Sequence, residues 1–178
     1  PWLIHVMQYR EQYGAGLSFK DVLINARRSY TPVKKGGALT AQQLKRTLAA
    51  SYDDRPTDAT KNLKVDKELS GKRTKVFHDS ETGQTVVAHR GTKSIQDVGT
   101  DLGLAVGYRN KRFKHAAAVQ KQAEEKYGIT NLDTVGHSLG GIIAEEVGGN
   151  SKNVITLNKA VVNPVRRNLA NQTDIKTS

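Results

Sequence analysis

The chain has 178 residues and a mass of 19.5 kDa, enough for one ordinary domain and a small appendage. With 37% apolar and 25% charged residues and no cysteine, it reads as globular; that excludes a disordered or fibrous chain, disulfides, thiolate metal sites and cysteine nucleophiles. No apolar run approaches the roughly 18 residues of a membrane span, and 28 Lys+Arg against 17 Asp+Glu give a net charge of +11, which favours anionic partners.

The opening PWLIHVMQYREQY has no basic start followed by an apolar stretch, so a soluble, non-secreted protein is expected. Trp2, Ile4, Val6, Met7 and Tyr9 fall in a predicted helix over 2–13, which Gly14-Ala15-Gly16 breaks. Ser18 and Asp21 read as a capping box opening a second helix, with Phe19, Val22, Leu23 and Ala26 at helical spacing. Arg27, Arg28, Pro32, Lys34 and Lys35 then lead to Gly36-Gly37. Residues 1–36 are read as a helical hairpin with a basic linker, and 37–178 as the main domain.

In that domain a helix is expected from Thr40 to Tyr52, with Leu44, Leu48 and Ala49 on one face. A polar loop over 53–62 and a short edge strand over 64–69 follow. Alternation over 72–78 and 84–89, split by Asp79-Ser80-Glu81-Thr82-Gly83, predicts a strand hairpin. Helices are expected over 94–106, closed by Gly107, and over 111–127, closed by Gly128. Residues 131–135 and 153–157 read as buried strands, with a helix over 139–147 between them. Strands alternating with helices predict an α/β fold with a mixed or mostly parallel sheet flanked by helices.

The segment Val135-Gly136-His137-Ser138-Leu139-Gly140-Gly141 contains Gly-x-Ser-x-Gly. A chain of this length meets that pattern by chance roughly 6% of the time, so its weight rests on context. Here a short β-branched strand precedes it and an amphipathic helix follows, with Leu139, Ile142, Ile143 and Val147 on the sheet side. That is the setting of a nucleophile elbow, in which the serine sits in strained backbone between strand and helix. Side chains two residues before and after would collide with the turn, hence Gly136 and Gly140. The helix start beneath the hydroxyl favours an oxyanion, and the Leu139 N–H is the first candidate donor.

Gly136-His137-Ser138-Leu139-Gly140-Gly141 resembles the serine elbow of the class 3 lipases, fungal-lipase-like α/β-hydrolases. A second block resembles that family's strand ending in Arg-Gly-Thr/Ser and its following helix: Thr85-Val86-Val87-Ala88-His89-Arg90-Gly91-Thr92, then Asp97 and Asp101-Leu102. The resemblance spans about 65–165. It implies an α/β-hydrolase fold, Ser138 as nucleophile and Thr92 as the second oxyanion donor. His89 and Val98 depart from the family pattern, which usually has a bulky apolar and an aromatic residue there. Asp174-Ile175 resembles the Asp-Ile/Val that carries the family's acid. Trp2, Ser18-Phe19-Lys20-Asp21, Ala26-Arg27-Arg28-Ser29-Tyr30 and Lys35-Gly36-Gly37-Ala38 resemble short segments and cleavage sites of virion proteins of large DNA viruses.

A serine hydroxyl needs a histidine base, which in α/β-hydrolases follows it in the chain. The histidines are His5, His78, His89, His115 and His137, all before Ser138. His137 beside the serine reads as structural, His115 as solvated, and His89 as a strand-end residue that could line the site. The expectation is a longer chain that brings the base, with a non-catalytic relative or a base from a partner chain as the alternatives. The leading reading is a serine ester hydrolase of lipase or phospholipase type, with no cofactor and no metal. The second is a catalytically incomplete lipase-like structural protein, a virion component docking other virion proteins through residues 1–36. Arg109, Lys111, Arg112 and Lys114, with Lys159, Arg166 and Arg167, suit an anionic membrane surface. Nucleic acid is a poor fit, because the 6% aromatic content offers no stacking platform.

Overall fold

The computed structural model describes residues 2–29, 38–92, 106–160 and 169–177. Residues 31–37 of the expected linker over 31–38, residues 94–105 of the expected helix over 94–106, Asp97, Val98, Asp101-Leu102, Arg166 and Arg167 lie outside them. The chain divides into two compact units, Pro1–Lys34 and Lys35–Ser178.

The first unit is a helical hairpin of α1 (Trp2–Tyr13) and α2 (Phe19–Ser29). Gly16 takes φ 83 in the connection, backbone that favours glycine. Ser18 Oγ accepts the Asp21 N–H at 3.2 Å and donates to the Asp21 carboxylate at 2.5 Å, so the predicted cap is present. Val6, Val22 and Ala26, with Tyr9 and Leu23 against them, form its small core.

The second unit begins with α3 (Ala41–Tyr52), closed at its start by a full capping box between Thr40 and Gln43. Then come β1 (Lys64–Val65), β2 (Thr74–His78) and β3 (Thr85–His89), α4 (Val106–Tyr127), β4 (Leu132–His137), α5 (Leu139–Val147), β5 (Asn153–Leu157) and β6 (Gln172–Ile175). The six strands form one mixed sheet in the order β1-β2-β3-β4-β5-β6. The β1–β2 and β2–β3 pairs are antiparallel; β3, β4, β5 and β6 run parallel. This is the expected α/β architecture.

Period-2 alternation along the strands sorts the core onto the two faces. Val86, Ala88, Phe77 and Val135 pack under α3 with Leu48 and Leu63, while Val76, Val87 and Leu132 pack under α4 with Val119 and Ala123. A buried polar network ties α4 to β4. Thr134 Oγ1 lies 3.1 Å from Gln120 Oε1 and 2.6 Å from Ser151 Oγ, so no hydroxyl there is left unsatisfied.

Three expectations need correction. The long helix, expected from Lys111, begins at Val106 and includes Gly107, which was expected to close the helix before it; a glycine's helix penalty is modest. The edge strand over 64–69 shortens to two residues, because the Asp66 carboxylate accepts the Glu68 and Leu69 N–H groups and turns the chain. The tail contains a strand, β6, that polar Gln172, Thr173 and Asp174 conceal.

Candidate active site

Parallel strands bring their carboxyl ends to one edge, and that edge is where open α/β sheets bind ligands. At this edge lie Arg90-Gly91-Thr92 after β3, Ser138 after β4, Asn158-Lys159 after β5, and Asp174 near the end of β6.

Ser138 has φ 55 and ψ −124, and its side chain makes no capping hydrogen bond to α5. These dihedrals belong to glycine, so the serine is held in strain by its surroundings. Its N–H donates to the Leu157 carbonyl at 3.1 Å, and its carbonyl accepts the Gly141 N–H at 2.9 Å and the Ala160 N–H at 3.2 Å. The neighbouring glycines show why the turn can be so tight. A Cβ on Gly136 would lie 2.0 Å from the Gly140 carbonyl oxygen, and one on Gly140 would lie 2.1 Å from the His89 carbonyl oxygen. Leu139 opens α5, so its N–H has no acceptor within the helix.

The loop after β3 lies against this turn. A Cβ on Gly91 would approach the Ser138 Cβ to 3.1 Å and the His137 carbonyl oxygen to 2.8 Å. Two side chains hold the loop, half-buried Tyr52 and buried Arg112. Tyr52, at the end of α3, accepts the Gly91 N–H at 2.9 Å and lies 2.7 Å from His137 Nδ1. Arg112 on α4 donates from Nη2 to the Arg90 carbonyl, with the Gly91 carbonyl 3.5 Å away. Arg90 itself pairs with Asp54 at 3.0 Å. The Thr92 hydroxyl is buried and has no hydrogen-bond partner among the described residues.

His78, His89 and His137 are committed to other partners. Tyr52 Oη and His137 Nδ1 share a hydrogen bond, and burial holds that imidazole below its ordinary value. His89 is fully buried on the α4 face, bonded through Nδ1 to Thr74 Oγ1 at 3.0 Å. Burial first, then the charges of Arg112 and His115, drives it down to about 3. The expectation that it could line the site is therefore corrected: its ring points into the core beneath α4. His78 stacks on Tyr127 at 4.1 Å and bonds Thr85. His115 is exposed on α4.

Asp174 pairs across the sheet with Thr156, two strands from β4, a spacing of about 10 Å. Its carboxylate accepts Thr156 Oγ1 at 2.7 Å, Gln172 Nε2 at 2.8 Å and Lys159 Nζ at 3.0 Å. Burial pulls its pKa up, but these donors outweigh it and hold Asp174 below the ordinary carboxylate value. Lys159 also binds Glu145 at 2.6 Å. The expected basic surface is corrected accordingly. Arg112 is buried and Lys159 sits between two carboxylates, whereas Lys111 and Lys114 are exposed. Tyr52 and Arg112 carried no signal in the sequence, where one ends an amphipathic helix and the other stands in a basic run.

A mixed sheet flanked by helices, with a strained serine between a parallel strand and a helix, defines an α/β-hydrolase-like protein. The model of a phospholipase-like family, the Tle-like phospholipase domain, matches residues 39–171, and the chain belongs to that family. No curated protein and no solved structure matches it. The family match starts after the hairpin and lends no support to the virion-protein likeness of the N-terminal segment.

Proposed function

We propose that residues 37–178 form the core of a serine ester hydrolase acting on phospholipid, of the kind that the class 3 lipases exemplify. Ser138 Oγ attacks the acyl carbonyl and passes its proton to a histidine base. The Leu139 N–H and Thr92, through its N–H or hydroxyl, hold the resulting oxyanion. Collapse expels the alcohol, which takes the proton back from the imidazolium, and water then releases the fatty acid by the same steps. Asp174 is the carboxylate that orients the imidazole, and in that role it gives up Lys159. In this reading the base is a histidine other than those described in the α/β unit, where His78, His89 and His137 are bonded elsewhere and His115 is exposed on α4.

The observation that carries this reading is the strained Ser138 between two glycines that admit no Cβ. Strain of this kind persists only where the surrounding structure enforces it, and Ser138 is half-buried at the sheet edge. The test compares the parent with Ser138→Ala on p-nitrophenyl esters and on phospholipid. At least about a thousandfold loss in kcat is expected, and equal turnover by both proteins overturns the reading. The commitment of the histidines favours a second reading, a lipase-like fold kept for binding without chemistry. A fluorophosphonate separates the two, because it labels Ser138 only where a base activates it.

A further inference from the structure

The N-terminal hairpin has an unusual distribution of apolar surface. Five of the seven exposed large apolar side chains among the described residues are on it: Met7, Tyr13, Leu17, Phe19 and Ile24. Three of these crowd the connection between α1 and α2, where Tyr13 is 58%, Leu17 41% and Phe19 61% exposed. A folded chain ordinarily covers such side chains when they stand together. From Gln12 to Phe19 no residue is charged. Glu11 and Lys20 border this run, with Arg10 and Asp21 next to them, and over residues 1–35 Arg10, Lys20, Arg27, Arg28, Lys34 and Lys35 stand against Glu11 and Asp21, a net +4.

We propose that the tip of this hairpin, Tyr13 to Phe19, inserts into the interface of an anionic phospholipid bilayer, to which the net positive charge of residues 1–35 draws it. The choice of bilayer rests on the phospholipid reading above and on charge complementarity. An uncharged, glycine-containing tip with one tyrosine, one leucine and one phenylalanine can enter the headgroup–acyl boundary without burying a charge. Basic side chains of residues 1–35 gain from an anionic surface, and their long stems let the charge stay in water. The hairpin's small core, Val6, Val22 and Ala26, lies apart from the tip, so insertion requires no unfolding.

The test is co-sedimentation of the full chain with vesicles of phosphatidylcholine containing about 30% phosphatidylserine, and with phosphatidylcholine alone. The parent is expected to bind the anionic vesicles more tightly, and added salt is expected to weaken it. The double variant L17D/F19D should bind at least about tenfold more weakly. Ile129→Asp, an exposed apolar position on the other unit, should bind like the parent. Circular dichroism should show L17D/F19D folded; L17A/F19A gives a milder second variant with a smaller loss. Binding of the double variant within about twofold of the parent overturns the proposal, as does a parent that ignores anionic vesicles. A tip-dependent dimer without vesicle binding also overturns it. Ser138→Ala should bind as the parent does, so failure of the nucleophile reading leaves this result intact.

Discussion

Gly140→Ala tests the packing of the candidate site most directly. The added Cβ would lie 2.1 Å from the His89 carbonyl oxygen and 2.7 Å from the Arg90 carbonyl carbon. Ordinary contact begins near 3.4 Å, so the first approach is short by about 1.3 Å. Both atoms are backbone at the end of β3, and no rotamer change relieves the clash. The elbow and the loop after β3 must move apart, at a cost at the upper end of overpacking, about 3 kcal/mol or more. For a domain of this size that lowers Tm by about 6–12 °C. A displacement near 1 Å also costs about a hundredfold in kcat if Ser138 and Thr92 act together. Two neighbours serve as internal standards. At Gly141 the nearest atoms are Lys159 Cβ and Cγ at 3.2 Å, which can give by tenths of an ångström, and at Gly149 nothing lies within 4 Å. Both alanine variants should stay within about 1 kcal/mol of the parent. Urea unfolding followed by circular dichroism reads all three. A Gly140→Ala protein as stable as Gly149→Ala would refute the argument that these glycines hold the turn closed.

Two further outcomes follow from the same geometry. Ser138→Gly should be more stable than Ser138→Ala by about 1 kcal/mol, because φ 55 with ψ −124 costs an alanine about 1–3 kcal/mol and a glycine little; equal melting temperatures would refute the strain. Stability should fall as pH drops below 6.5, because His89 is held down to about 3 in the fold while the unfolded chain takes up the proton near 6.5. The unfolded state then binds more protons across that window, which costs up to about 1.4 kcal/mol per pH unit. Burial holds His78 and His137 below their ordinary value as well, so they act in the same sense just below pH 6.5. Denaturation at pH 7, 6 and 5 measures the slope, His89→Asn should flatten it, and a stability that is level across this range would count against the buried neutral ring.

The architecture was readable because its determinants are local. The β-branched runs 85–89 and 132–135, the capping box at Thr40 and the Gly-x-Ser-x-Gly turn each declare themselves within a few residues. Strand β6 was not readable, because an edge strand needs only one neighbour and can carry Gln172, Thr173 and Asp174 facing water. Arg112 was read as surface because charge runs usually are; only the fold turns one guanidinium of the run inward, while Lys111 and Lys114 stay exposed. His89 misled for the opposite reason. Its place at the end of a strand suggested the sheet edge, but the pairing Thr74↔His89 puts the ring on the α4 side, where Thr74 satisfies one nitrogen. Which face a residue takes is set by register, and register is a property of two strands, not one.

The loop after β3 shows how the two sheet faces jointly set the chemistry expected at Ser138. One peptide unit joins Arg90 to Gly91; its carbonyl accepts from Arg112 on the α4 face, and its N–H donates to Tyr52 on the α3 face. A peptide's C=O and N–H point in opposite directions, so these partners fix its plane. The next unit carries the Gly91 carbonyl, 3.5 Å from the same guanidinium, and hence turns the Thr92 N–H away from α4. An oxyanion donor works by being aimed before the charge develops, so that little reorganisation accompanies the reaction. Arginine suits this task because one buried guanidinium can address two successive carbonyls and stays charged when desolvated. Tyr52 adds a second constraint, since the phenol that receives the Gly91 N–H is also hydrogen-bonded to His137, the residue before the serine. The two halves of the proposed oxyanion hole, on the loop after β3 and at the start of α5, are thereby linked through one hydroxyl.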